Sequence, residues 1–575
     1  MNILGLHING GQSSAALLVD GVISAAVAEE RFSRVKQSRA FPRKAINFCL
    51  QQAGVSDLSA LDGIAISWNP AENMRHINNS GYTDWRRYDP EWLYIAPNNL
   101  IGLSPNLDAV GEVLKMELGL QTATPIYFVE HHWAHLAHAI YQSPFEKGMA
   151  AAVDEYSEFH SVTLATFDRG DVSIIRRLDY PHSLGVFYAA MTEFLGFVPN
   201  SEEWKVMGAA AYGKPDRFLP ALQKIFRWDD DEGEWLLDAC YIEHSNMKRA
   251  GYCNERMARL IGMPMRFAKD PLSQDHFDLA ASAQALFEER LFQLLTRYSA
   301  NAPEGNLAAA GGCFMNSLAN GKITANTPFN RLFVPYAAAD NGGAMGAALY
   351  VWHRVFGHPH TADALPPSPY LGPEFSNTEI ERTLKKFKLP YRYAGDVASE
   401  AANLIAGGKL VGWFQTRMEF GERALGARSI LADPRRAEMK DILNSAVKYR
   451  EGFRPFAPAV LSEHAMEWFD MPADAVVPYM EQVFPISQGK REKVPAVVHA
   501  DGTGRLQTVI RELNPLFHAL IERFYEQTGV PLVINTSFNV QGEPIVCSPA
   551  DAVRTFFTSG LDVLVIGDFV VCKQS

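Results

Sequence analysis

Short apolar runs that break off at Asp, Asn or Gly recur between Ile3 and Gly343, and this recurrence restricts the fold more than any other feature of the chain. Ile3 to Ile8 leads into Asn9-Gly10-Gly11-Gln12-Ser13, and Gly148 to Val153 ends in Asp154. Leu307 to Ala310 empties into Gly311-Gly312, with Asn316 and a helix beyond, and Leu332 to Pro335 leads towards Asp340-Asn341-Gly342-Gly343. Strands that end in small loops with Asp or Gly predict an α/β nucleotide-handling domain that binds its ligands at the strand ends. Two further strands, Ser14 to Val19 and Val22 to Ala28, flank Asp20-Gly21 as a tight hairpin. The loop around Gly10, Gln12 and Ser13 has the glycines and hydroxyls of an anion cradle. On that local pattern alone an ordinary glycine-rich hairpin is the simpler reading.

At 575 residues the chain exceeds what one core usually serves, so at least two domains are expected. Pro366-Pro367-Ser368-Pro369-Tyr370-Leu371-Gly372-Pro373 breaks all periodicity, which places a first domain at 1–365, a linker at 366–380 and a second domain at 381–575. Strand-like runs such as Lys409 to Phe414 and Val530 to Ile534 make the second domain α/β as well, and no internal repeat is evident.

The 53 basic and 65 acidic side chains give a net charge of -12, which argues against a general binder of nucleic acid or membrane surfaces. Any anion must therefore be caught locally. The six scattered cysteines indicate neither a zinc knuckle nor a disulfide framework and fit a reducing cytoplasmic setting. No signal-like leader or membrane-length apolar run is seen.

Chemistry concentrates in Val129-Glu130-His131-His132-Trp133-Ala134-His135-Leu136-Ala137-His138. His131 and His135 are four apart, so on a helix their rings share a face and suit one metal ion. Paired histidines are as often satisfied helix residues, and the local pattern leaves both readings open. In the second domain Arg417, Arg423, Lys448, Arg454 and Arg505 include several cations set among apolar or small residues. Converging guanidinium groups suit a phosphate dianion.

Taken together, the motifs resemble the antibiotic-type O-carbamoyltransferase family, which joins a Kae1-like domain to a YrdC-like domain. Relatives of that kind act in nodulation, cephamycin and tobramycin pathways. The matching stretches are Val129 to His135, Glu203-Trp204-Lys205-Val206-Met207-Gly208, Gly311 to Asn316, Asp340 to Ala348, Arg417 to Gly426, Phe453-Arg454-Pro455-Phe456-Ala457-Pro458 and Asn535-Thr536-Ser537-Phe538-Asn539. The resemblance implies an actin/Hsp70-type ATPase fold of two subdomains followed by a YrdC-like α/β domain. It implies that His131, His135, Asp154 and Asp340 bind Fe(II) or another divalent metal, with magnesium a further expectation. Gly10, Gln12, Ser13, Lys205, Gly312 and Asn316 would lie about a nucleotide. Arg417, Arg423, Lys448, Arg454, Arg505 and Ser537 would form the pocket where carbamoyl phosphate and ATP become carbamoyl adenylate. An alcohol on a natural product such as a sugar, aminoglycoside or macrocycle would then receive the carbamoyl group. Relatives also imply a homodimer.

The chain departs from the family pattern where a proton acceptor is expected. Many relatives carry His-Asp ahead of the small-residue run, whereas here the positions are Gly11-Gln12. Neither can act as a base. His7 on the preceding strand, or a metal-bound alkoxide, would have to serve. Asp154 also lacks the glycines that usually follow it, and Glu422 stands where proline is common. A tRNA threonylcarbamoylation-type enzyme is the alternative, since it uses the same pair of folds, but no basic stripe for RNA is visible.

Overall fold

Asp20 and Gly21 both adopt left-handed backbone, with φ of 47° and 85°, which is what a two-residue type I′ hairpin demands. That turn joins β2 (Ser14–Val19) to β3 (Val22–Ala28), with β1 (Asn2–His7) antiparallel to β2 on its other side. In this computed structural model residues 1–8, 11–55, 58–69, 72, 124–242, 251–302, 304–448 and 456–573 are described. The chain divides into two compact units, Met1–Glu29 with Arg39–Pro366, and Glu30–Ser38 with Pro367–Ser575.

In the first unit, β4 (Gly63–Ile66) pairs parallel to β1, and β5 (Ile126–Phe128) pairs parallel to β4, giving a five-stranded sheet of order β3-β2-β1-β4-β5. A second five-stranded sheet is built from β6 (Lys147–Val153), β7 (His160–Asp168) and β8 (Asp171–Asp179), then β11 (Asn306–Ala310) and β12 (Arg331–Phe333). Between them in sequence lies a separate hairpin, β9 (Phe226–Asp229) with β10 (Glu234–Leu237). The order of the second sheet is β12-β11-β6-β7-β8, again an antiparallel meander of three strands with two parallel strands added beside its first. This duplicated pair of α/β sheets agrees with the two subdomains expected of the first domain. The repeat is one of strand pairing, which different side chains satisfy equally well.

Backbone contact sets how the first sheet meets its helices. The helix Gly343–Tyr350 packs against β1 and against the helix His131–Gln142. A Cβ on Gly5 of β1 would stand 1.8 Å from the Ala344 carbonyl oxygen, and one on Gly346 would stand 1.9 Å from that of Ala134. Only glycine permits either approach. The small residues of Gly343-Ala344-Met345-Gly346-Ala347-Ala348 therefore draw three chain segments together, and each carries a site residue at its end.

The second unit is a mixed sheet of nine strands: β13 (Arg392–Tyr393), β14 (Val411–Phe414), β15 (Arg428–Ala432), β16 (Ala457–Leu461), β17 (Gln482–Pro485), β18 (Thr503–Val509), β19 (Leu532–Ser537), β20 (Val563–Ile566) and β21 (Phe569–Cys572). Its order is β13-β21-β20-β14-β15-β19-β16-β18-β17. Helices Asn377–Lys386 and Pro549–Thr558 begin in capping boxes, Ser376 with Glu379 and Ser548 with Asp551, which satisfy orphan amides at each helix start. The stretch expected as a linker, 366–380, is bonded into this unit: Arg417 Nη2 donates to the Leu371 carbonyl (2.6 Å) and Arg428 Nη2 to that of Pro373 (2.9 Å). Glu30–Ser38 belongs here too, with Arg31 Nη2 donating to the Gly421 carbonyl (2.9 Å) and Arg34 to those of Pro544 and Ile545 (2.7 and 2.6 Å). Among the described residues no helix is long and apolar enough to cross a membrane.

Gly346→Ala should destabilise the first unit by about 2–3 kcal/mol, because one methyl overlaps a carbonyl in a packed interface. Calorimetric unfolding should show the loss in one transition.

Candidate metal centre and cation-bearing face

His131 and His135 occupy the first two turns of the helix His131–Gln142, and their Nε2 atoms lie 3.1 Å apart. Asp154, just past β6, places Oδ2 3.4 Å from His131 Nε2 and 3.1 Å from His135 Nε2. Asp340, beyond β12, places Oδ1 3.4 and 3.7 Å from the same atoms. One donor atom from each residue thus falls within 4.8 Å of all the others. Donors held about 2.0–2.2 Å from one centre stand roughly 3–3.6 Å apart, so the spacing fits a shared cation.

The surroundings turn these donors inward. His131 Nδ1 donates to the Ser67 carbonyl (3.2 Å), which leaves the Nε2 lone pair facing the carboxylates. Asp154 Oδ1 accepts from the backbone N–H of Glu155 (2.8 Å) and of Gly312 (3.1 Å), so its other oxygen is fixed towards the histidines. Glu158 accepts the His131 N–H at 2.9 Å and the Asn69 N–H at 2.7 Å, capping the histidine helix from outside. Burial pushes the Glu158 carboxyl up to about 7.

Burial opposes a charged ring at His131, yet hydrogen bonding to Asp154 and Asp340 raises its pKa well above the ordinary value. Burial likewise opposes ionisation of Asp340, and the two histidines override it, holding that carboxyl well below the usual range. Such a cluster demands positive charge. Two imidazoles and two carboxylates, with no thiolate, suit a divalent ion of intermediate hardness such as Fe(II). The side chain of Asp340 is 37% exposed against 10% for Asp154, so the cluster opens on the Asp340 side.

The other two histidines of the run are both buried, which excludes a solvated role. His132 Nδ1 meets Thr163 Oγ1 at 2.9 Å, and burial lowers the pKa of His138 to about 3. His7, the last residue of β1, has Nδ1 2.9 Å from Ser67 Oγ and Nε2 3.9 Å from Asp340 Oδ2. Burial lowers its pKa to about 4.

The nucleotide candidates are more dispersed. Gly10 lies outside the described residues. Gln12 takes a left-handed φ of 68°, and Ser13 Oγ donates to the Ala40 carbonyl (2.7 Å). Lys205 is buried against Glu202 (2.6 Å) and lies over the rings of Phe197 and Trp204. Asn316 caps the short helix Ser317–Asn320 and exchanges two hydrogen bonds with Gln284 (2.9 and 3.0 Å). Gly312 serves Asp154 directly through its N–H.

In the second unit the hydrogen bond from Asn535 Nδ2 to Gln507 Oε1 (2.8 Å) identifies one face of the sheet. Ser537 and Arg505 each lie two residues from that pair on β19 and β18, so they share the face. Asn535 Nδ2 also donates to the Ala424 carbonyl (3.1 Å), and Gln507 Nε2 to that of Leu425 (3.0 Å), laying the segment with Arg423 over the same face. Burial lowers the pKa of Arg423, with Glu422 as its charged neighbour. Arg417 instead holds Leu371 and Gly372. Arg454 and the side chain of Lys448 lie outside the described residues. Ser537 Oγ donates to Asn539 Oδ1 (2.6 Å).

Ser67, Glu158 and Glu419 are positioning residues that the motifs did not single out. Glu419 Oε1 accepts from the N–H groups of Leu425, Ala427 and Arg428 at 2.6, 3.3 and 3.2 Å, folding the turn that follows Arg423. The signal available for Ser67 was its place directly after a buried strand.

Comparison with known proteins assigns the chain through both units. The family described as carbamoyltransferase N-terminus matches residues 2–349, and that described as carbamoyltransferase C-terminus matches residues 402–573. The chain belongs to the carbamoyltransferase family. An uncharacterised protein of Synechocystis is 36% identical over 100% of this carbamoyltransferase and 97% of its own length. Nodulation protein NolNO of Sinorhizobium fredii is 37% identical over 98% of this chain and 79% of its own. The 3'-hydroxymethylcephem-O-carbamoyltransferase of Amycolatopsis lactamdurans is 34% identical over 50% of this chain and 53% of its own.

In this carbamoyltransferase a Cβ on Gly312 would lie 2.8 Å from Asp154 Oδ1. Gly312→Ala should therefore displace that carboxylate and weaken Co(II) binding about tenfold to a hundredfold, read by calorimetric titration.

Proposed function

We propose that this carbamoyltransferase transfers the carbamoyl group of carbamoyl phosphate, through carbamoyl adenylate formed with ATP, to a hydroxyl of a small natural product. The reading is carried by the contrast between two sites: inward-facing imidazoles and carboxylates in the first unit, and a sheet face bearing Arg505, Ser537 and the Arg423 segment in the second. Likeness to a cephem O-carbamoyltransferase supports an alcohol acceptor. The net charge of -12 favours a small molecule over a nucleic acid.

The second unit activates. Water converts carbamoyl phosphate to carbamate and inorganic phosphate, and a carbamate oxygen then attacks the α-phosphorus of ATP, releasing pyrophosphate. Arg505 and Arg423 neutralise phosphate oxygens, with Arg505 able to take two at once. Ser537 offers its hydroxyl and backbone N–H.

The first unit transfers. The acceptor oxygen forms a bond to the carbamoyl carbon, the bond to the AMP oxygen breaks, and the acceptor's proton is lost to a base. A divalent cation held by His131, His135, Asp154 and Asp340 would act as a Lewis acid for charge developing on the carbonyl and the leaving phosphate. Ser67 fixes the ring of His131 and Gly312 fixes Asp154, so these donors need no reorganisation when substrate arrives.

The two half-reactions separate in experiment. Arg505→Ala should abolish pyrophosphate release that depends on carbamoyl phosphate and labelled ATP, whereas His131→Ala should retain that release and lose carbamate formation on the acceptor. Equal loss of both steps in either variant would refute the division of labour. No carbamoyl phosphate-dependent pyrophosphate release by the wild type would refute the activity, and stimulation by tRNA, threonine and bicarbonate would transfer the assignment to threonylcarbamoylation.

A further inference from the structure

Two polar atoms that have no hydrogen-bond partner among the described residues lie near each other beside the cluster. His7 is 1% exposed, and its Nε2 is buried with no hydrogen-bond partner among the described residues, an unfavourable condition for a polar atom that nothing answers. Asp340 uses Oδ1 towards His131 and His135, while Oδ2 receives no hydrogen bond from any described residue. The separation of these two atoms is 3.9 Å, just beyond bonding distance. The second carboxylate of the cluster differs sharply, since Asp154 has its outer oxygen held by two backbone N–H groups.

The ring of His7 is already oriented for this task. Its Nδ1 meets Ser67 Oγ at 2.9 Å, and a hydroxyl donating there leaves the single N–H of a neutral ring on Nε2, towards Asp340. The same Ser67 fixes His131 through its carbonyl oxygen, so one residue aligns both rings. Gly11 supplies the other polar neighbour of His7, through its backbone.

We propose that His7 is a positioning residue that donates from Nε2 to Oδ2 of Asp340, holding Oδ1 as the ligand on the open side of the cluster. The proposal rests on reading the four residues as a cation site. Ligating carboxylates are commonly held this way, and loss of the outer partner weakens metal binding.

Co(II) is the probe, added to the full chain and followed by calorimetry and by its visible absorption, which reports ligand geometry independently of turnover. His7→Leu should weaken Co(II) about tenfold to a hundredfold and alter the spectrum. His7→Gln, which keeps an N–H donor at similar reach, should restore both. If His7→Leu fails to fold by circular dichroism, Ser67→Ala carries the test, because it releases the ring without removing a donor of the cluster, and it should weaken Co(II) in the same sense. Co(II) affinity and spectrum identical to wild type in whichever of His7→Leu and Ser67→Ala folds would overturn the role of His7 alone. Wild-type protein that binds no Co(II) would overturn the cation site itself, and the role of His7 with it.

Discussion

Two imidazole nitrogens 3.1 Å apart, each with a carboxylate oxygen within 3.4 Å, form an arrangement that is unfavourable unless positive charge lies among them. Ring lone pairs and carboxylates repel in a buried setting, where charge is poorly screened. The fold nevertheless holds them there from four directions. The Ser67 carbonyl fixes one ring, Gly312 fixes one carboxylate, Glu158 fixes the start of the helix, and the glycine contacts at Gly5 and Gly346 fix the elements themselves. Much of the first unit's local design serves to hold these donors close.

Strand order explains how so many segments reach one point. His7, Ser67, Asp154 and Gly312 each lie at or just past the carboxyl end of a strand that has a parallel partner, which is where ligands gather in open α/β sheets. The second unit solves a different problem on one face of its sheet. There Glu419, a buried side chain, organises the turn after Arg423 from within, and Arg428 stacks 3.7 Å over Phe414 while bonding to four carbonyl groups.

How far the sequence could be read depended on whether a role was local. The i,i+4 spacing of His131 and His135 is a helix property, and Asp20-Gly21 specifies its own turn, so both were legible. The resemblance brought Asp154 and Asp340 to the cluster, a meeting that no local pattern could show because it depends on parallel pairing between strands far apart in sequence, β6 with β11 and β11 with β12. Ser67 and Glu158 act through backbone groups, which leave no side-chain signature. Arginine and lysine were the least legible: the resemblance offers Arg417 and Lys205 as site residues, while residue type does not tell that Arg417 also braces the Leu371 carbonyl or that Lys205 pairs with Glu202. The duplicated sheet order was invisible for a similar reason, since strand pairing constrains backbone and not side-chain identity.

The early excursion Glu30–Ser38 bears on how the protein can be dissected. A single cut after Pro366 yields two fragments of convenient length, yet the larger would carry Arg31 and Arg34 without the carbonyl groups they now satisfy, and the smaller would lack those guanidinium groups. Neither fragment is a whole folding unit. Halves of this carbamoyltransferase expressed apart are thus poor stand-ins for its two sites, and a faithful minimal version needs a rejoined chain rather than a shorter one.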